Sequence, residues 1–172
     1  MTDEATAKLL YFAYGSNMLS RRLLARVPSA TAVGVGYTTD RRLTFDKVST
    51  DGSGKCDIAP TQSPTDRVYG VLFEIPSAEK TRLDDAEGLG KGYREERVDI
   101  VTSFGTRQAL AYVATAKEPA LRPYHWYKAL VVAGATEHRL PDPYIEWLRT
   151  IESKQDLNPN RRAENEAQLF GS

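Results

Sequence analysis

The sequence predicts a single α+β domain: a mostly antiparallel, barrel-like β-sheet with flanking helices. Three observations carry this. Short extended runs separated by glycine and proline turns dominate the first two thirds of the chain, while helical apolar spacing is confined to a few segments, chiefly near the end. The length of 172 residues suffices for one hydrophobic core and is too short for two ordinary ones. Hydrophobic residues make up 41% and charged residues 27%, as in soluble globular chains.

Leu9 to Tyr14 is an apolar and aromatic run that meets Gly15, which reads as a buried strand entering a tight turn. Ser16 and Asn17 are residue types that cap helices, and Met18, Leu19, Leu23, Leu24 and Val27 recur at helical spacing until Pro28. The stretch 31–46 is strand-like, and Asp51-Gly52-Ser53-Gly54 is a turn between two extended pieces. Arg67 to Ile75 is the clearest strand. Tyr69, Val71, Phe73 and Ile75 share one face and Val68 and Leu72 the other, so both faces are at least partly covered.

A helix is expected from Ala78 to Glu87, stopped by glycines 88, 90 and 92. Two strands, 93–102 and 107–115, form a hairpin about Phe104-Gly105-Thr106. Tyr124 to Arg139 reads as a helix, and Pro141 separates it from another that carries Tyr144, Ile145, Leu148 and Ile151. The domain is assigned to residues 1–152, and residues 153–172 to a polar tail that is frayed or loosely docked. Exposed Trp126 and Trp147 would mark a partner surface, a second copy of the chain being the partner considered.

Several function classes lose support. The formal net charge is +0 and the pairs Arg41-Arg42 and Arg161-Arg162 are isolated, so no nucleic-acid footprint is expected. The longest apolar stretch, 129–135, falls far short of the roughly 20 residues of a membrane span. The start Met1-Thr2-Asp3-Glu4 is acidic where a secretory signal is basic, and Cys56 is the single cysteine, so a reducing, cytoplasmic location is expected. His125 and His138 lack acids or cysteines at zinc-ligand spacing; Ser16 is not in a G-x-S-x-G elbow; Gly34 and Gly36 do not complete G-x-G-x-x-G. No metal and no cofactor is expected.

Two places remain where chemistry can sit. In the turn Tyr14-Gly15-Ser16-Asn17, backbone N–H groups at a helix start can hold a carboxylate or a developing oxyanion. The plainer reading is a tight turn with two capping residues. In Asp84-Asp85-Ala86-Glu87-Gly88, Glu87 follows Leu83 by four residues and shares its inward face. The negative end of the helix and Asp84 one turn below both disfavour the ionised form, which suits a carboxyl that accepts a proton and later returns it. The plainer reading there is a solvated acidic patch. Tyr37, Tyr93 and Tyr127 can line a pocket, although a single tyrosine more often fills a core.

Leu10 to Met18, with Tyr14-Gly15-Ser16-Asn17 at its centre, resembles the Y-G-S-N signature of the γ-glutamylcyclotransferase superfamily, which includes AIG2-like proteins and a butirosin-type deprotecting cyclotransferase. The Pro28-Ser29-Ala30 turn, the strand Val68 to Ile75, the segment Leu83 to Gly88 and Tyr127-Lys128 with its apolar helix resemble the family in the same order, over residues 9–151. The resemblance implies a closed or nearly closed sheet and a cofactor-independent enzyme that turns a γ-glutamyl amino acid or γ-glutamyl amine into 5-oxoproline. It implies Glu87 as general acid and base, Tyr14, Gly15, Ser16 and Asn17 as the substrate-holding loop, and Tyr93 and Tyr127 as pocket tyrosines. The segment Asp51 to Pro60 departs from the animal enzymes, and Asn17 from the Y-G-S-L of the glutathione-specific branch. The alternative class is a non-catalytic member that binds a small acidic metabolite in the same cavity.

Overall fold

The structure is a computed structural model and describes residues 7–170. Strand β1, Lys8–Ala13, runs into a 3-10 turn at Ser16–Met18 and then helix α1, Ser20–Arg26. β2, Thr31–Thr39, and β3, Arg41–Val48, meet at Asp40, whose φ of 60° suits a short polar side chain that tolerates the left-handed region. β4, Gly54–Pro60, returns along β3, and β5, Arg67–Pro76, matches the strand predicted most clearly. A 3-10 turn at Ser77–Glu79 leads into α2, Lys80–Glu87, which ends where Gly88 takes φ 70° as a left-handed C-cap. β6, Tyr93–Thr102, and β7, Gly105–Ala114, form the expected hairpin. Helices α3, His125–Glu137, α4, Asp142–Arg149, and α5, Pro159–Glu166, close the chain.

Five strands close a barrel in the order β1-β5-β2-β6-β7, all antiparallel except the seam, where Tyr11 of β1 pairs in parallel with Leu110 of β7. β3 and β4 form a separate two-stranded sheet, tied to the barrel where Asp57 accepts the Ala114 N–H at 2.8 Å and receives Lys117 at 2.8 Å. Phe12, Val68, Leu72, Ile75, Leu83, Ile100 and Leu130 are fully buried in the core. Burial of each such side chain contributes about 1.5–3 kcal/mol. No helix among the described residues is long and apolar enough to cross a membrane.

The end of the chain differs from the expectation of a frayed or loosely docked tail. Residues 159–166 form α5, and the buried Asp156 anchors it by accepting hydrogen bonds from Trp126 Nε1 at 2.9 Å, Arg161 Nε at 2.7 Å and Asn158 N at 2.9 Å. The Arg161 guanidinium holds the Asp156 carboxyl well below the usual carboxylate range. Sequence polarity misled because one buried carboxylate with satisfied lone pairs can hold a segment that contributes little apolar area. Trp126 is accordingly buried and marks no surface, whereas Trp147 is 37% exposed beside Tyr144.

Helix α3 rests directly on the turn after β1. A Cβ placed on Gly134 would stand 2.5 Å from Leu19 N and 2.7 Å from Met18 Cβ, so the absence of a side chain lets the two backbones touch. Gly134→Ala is expected to destabilise the fold by about 1–3 kcal/mol through overpacking, read as a lower urea midpoint at unchanged m-value.

Candidate active site

Ser16 and Asn17 sit on the 3-10 turn, but neither side chain caps a helix. The first turn N–H groups to find a carbonyl are those of Met18, to Gly15 O at 3.1 Å, and Leu19, to Ser16 O at 3.2 Å. The N–H groups of Ser16 and Asn17 precede them and have no partner within the turn. The Ser16 hydroxyl accepts Arg22 Nε at 3.0 Å. The Asn17 amide is buried and points across to α2, where its Nδ2 donates to Glu87 Oε1 and to Tyr11 Oη, and its Oδ1 accepts Arg26 Nη1 at 3.0 Å.

Glu87 therefore stands beside the glycine turn, 70 residues away in sequence, with its side chain 17% exposed. Arg26 Nη1 lies 3.7 Å from the same oxygen, Oε1. This cation was not part of the sequence expectation. Asp84 is itself engaged by Lys80 at 2.9 Å and by the Tyr112 hydroxyl. Asn17 and Arg26 both address Oε1, and among the described residues no hydrogen bond or ion pair engages Oε2 of Glu87.

A narrow hollow of ≈ 30 Å³ is lined by Gly15, Ser16, Asn17, Glu87, Tyr93 and Tyr127 among others. Of the sequence-selected residues Tyr14 also lines it, donating its hydroxyl to Tyr112 O. Tyr37 does not line it; it packs against Tyr69 with ring centroids 5.4 Å apart. The floor is Cys56 of β4, whose N–H donates to the Tyr127 oxygen at 3.0 Å and whose carbonyl accepts the Tyr93 hydroxyl at 2.7 Å. Sequence reasoning passed over Cys56, Tyr11, Tyr112 and Arg26 as site residues. The available signal was the unusual Asp51–Pro60 segment, which supplies this floor.

The two Cys56 bonds give the tyrosines opposite polarity. Tyr93 has spent its proton on the Cys56 carbonyl and offers a lone pair, while Tyr127 has accepted the Cys56 N–H and turns its own proton toward the weakly accepting Cys56 sulfur, from which a stronger acceptor can draw it. Burial pushes the hydroxyls of Tyr14, Tyr93 and Tyr127 well above the usual phenol range and the Cys56 thiol up to about 12, so all four stay neutral. The polar groups here can thus bind a zwitterion and move a proton through one carboxylate, with no ionised tyrosine or thiolate.

The hollow opens into a wider cleft of ≈ 270 Å³, with which it shares Ser16, Glu87, Tyr93 and Tyr127. The cleft is lined by cations, among them Lys55, which lies 3.2 Å from Asp51 and 4.4 Å from the ring centroids of Trp126 and Tyr127. Burial draws the Lys55 ammonium down from 10.5 to about 8, with Asp51 pulling the other way. A nitrogen-detected NMR titration of Lys55 is expected to show a midpoint near 8, and Asp51→Asn should move it lower still.

Comparison with known proteins follows the same lines. The AIG2-like family model matches residues 67–148, which span β5 to α4 and include Glu87, Tyr93 and Tyr127. The human γ-glutamylcyclotransferase is 36% identical over 157 residues, covering 88% of this chain and 83% of that protein. The mouse γ-glutamylcyclotransferase is 35% identical, over 85% of this chain and 80% of its own length. A solved γ-glutamyl cyclotransferase structure superposes with a TM-score of 0.80 at 33% identity, covering 86% of this chain and 90% of that one. YkqA from Bacillus subtilis shares the fold, with a TM-score of 0.72 at 21% identity over 87% of this chain and 57% of its own.

Proposed function

The chain belongs to the γ-glutamylcyclotransferase family, and on that premise we propose that it releases 5-oxoproline from a γ-glutamyl amino acid or amine with Glu87 as the general acid and base. The observation that carries the assignment of Glu87 is its contact with Asn17 of the glycine turn, in a hollow lined by the same turn. The free N–H groups of Ser16 and Asn17 receive the substrate's α-carboxylate or the oxygen of its γ-carbonyl. Tyr127 adds a hydroxyl proton to that oxygen-binding side, and the lone pair of Tyr93 faces the α-ammonium.

Glu87 takes a proton from the α-ammonium, and the freed nitrogen attacks the γ-carbonyl carbon to close a five-membered ring. The tetrahedral intermediate collapses with loss of the γ-amide C–N bond. Overall the α-nitrogen gives up two protons and the leaving nitrogen gains two, so the carboxylate ends as it began. Nucleophile and electrophile belong to one molecule. Holding the chain curled removes much of the barrier, since effective molarities of about 10⁵ M or more are reached in well-oriented cyclisations. Each backbone donor aimed at the oxyanion is worth roughly 3 kcal/mol.

Glu87→Gln is expected to keep the fold and lower 5-oxoproline formation by on the order of 10²–10⁴-fold, assayed by mass with several γ-glutamyl compounds. Near-normal turnover in that variant would remove Glu87 from the mechanism. Gly15→Ala places a methyl 3.1 Å from Cys56 Cβ and 3.2 Å from Tyr127 Oη. Because these neighbours line the hollow, KM is expected to rise by roughly tenfold while the thermal midpoint falls only a few degrees; equal damage to both would make the turn purely structural.

A further inference from the structure

The outer cleft concentrates positive charge. The chain as a whole has a formal net charge of +0, yet Arg22, Arg26, Lys47, Lys55 and Lys91 line this one cleft against Asp85 and Glu87. Three of the five are engaged within the protein. Arg22 donates to Ser16, Asn165 and Gln168; Arg26 to Asn17, beside Glu87; and Lys55 faces Asp51. Among the described residues Lys47 and Lys91 make no ion pair, so these two cations remain for whatever occupies the cleft.

The backbone aims Lys47 there. Between β3 and β4 the register moves from Thr44↔Asp57 to Lys47↔Lys55, so three steps along β3 oppose two along β4. Such a bulge bends the strand and redirects side chains. Lys47 is half-buried, with Nζ 4.5 Å from the ring centroid of Tyr93, at the junction of hollow and cleft. Partial burial draws its ammonium below the ordinary lysine value, while Glu87 and Asp51 act in the other direction. A cation stripped of part of its water and lacking a carboxylate is stabilised when an anion arrives. Lys91, exposed and farther along the chain from Gly88, extends the positive wall outward.

We propose, resting on the cyclotransferase reading of this same site, that the cleft selects leaving amino acids that carry a second carboxylate. Lys47 and Lys91 between them hold the α-carboxylate and an acidic side chain, so γ-glutamyl-glutamate and γ-glutamyl-aspartate are preferred over neutral γ-glutamyl dipeptides. A single cation answers the α-carboxylate that every amino acid has. The second finds a partner only when another anionic group follows it, and the volume of ≈ 270 Å³ leaves room for a whole amino acid outside the hollow.

The test compares kcat/KM for γ-glutamyl-glutamate and γ-glutamyl-glutamine, which match in shape and differ by one charge. The acidic dipeptide is expected to be favoured by about tenfold, as for one charge-assisted contact, with the preference shrinking as ionic strength rises. Lys47→Gln and Lys91→Gln should each cost the acidic dipeptide roughly fivefold more than the neutral one, with thermal melts confirming that both variants fold. Equal kcat/KM for the two dipeptides, or a preference that survives in both variants, overturns the charge selection and leaves cyclisation standing. If neither dipeptide yields 5-oxoproline while another γ-glutamyl compound does, the charge selection is overturned and cyclisation stands; if no γ-glutamyl compound does, the cyclotransferase reading fails, and calorimetric binding of the same two dipeptides to the wild-type protein decides selection: tighter binding of the acidic one supports it, equal binding overturns it.

Discussion

The site is organised around one buried side-chain amide. Asn17 uses both ends at once, its nitrogen toward Tyr11 and Glu87 and its oxygen toward Arg26. Those partners belong to β1, to the end of α2 and to the end of α1, so a single planar group fixes three elements relative to one another. Its donors and acceptor have matched partners, which is the condition under which a polar group deep in a core strengthens the fold. No rotation of the amide would satisfy both a carboxylate and a guanidinium as well as this one does.

Everything else in the hollow is arranged to stay neutral around that contact. Five tyrosines and a cysteine supply its walls, and burial keeps their protons in place. Positive charge is held outside the hollow, in the cleft. The division suits a substrate with a zwitterionic head: oriented dipoles whose positions are set in advance line the hollow, and cations line the cleft beyond it. The two-stranded β3–β4 sheet builds both compartments, since Cys56 floors one and Lys47 and Lys55 line the other.

Much of the fold was legible because it is local. Alternation of Val68, Tyr69, Val71 and Leu72 marks β5, glycines bound the β6–β7 hairpin and stop α2, and Leu83 gives the facing of Glu87. The turn at Gly15 and the acid at Glu87 were each visible, but the side chain that joins them was read as a helix cap. A cap depends on near neighbours and an inter-element amide on far ones, and the residue type is the same for both. Cys56 and Lys47 escaped for a related reason: their importance comes from a register shift and from hydroxyls contributed by Tyr93 and Tyr127, none of which leaves a periodic trace. The docking of α5 was missed because its hold is electrostatic, through Asp156.

Arg22 carries a consequence that reaches the last residues of the structure. Its guanidinium spans from the Ser16 hydroxyl on one side to Asn165 and Gln168 on the other, so the final helix and the glycine turn share a single donor. Order at one end of the polypeptide is therefore linked to order at the other. What sequence polarity presents as an appendage is thus a brace behind the glycine bend, held to it through one buried guanidinium.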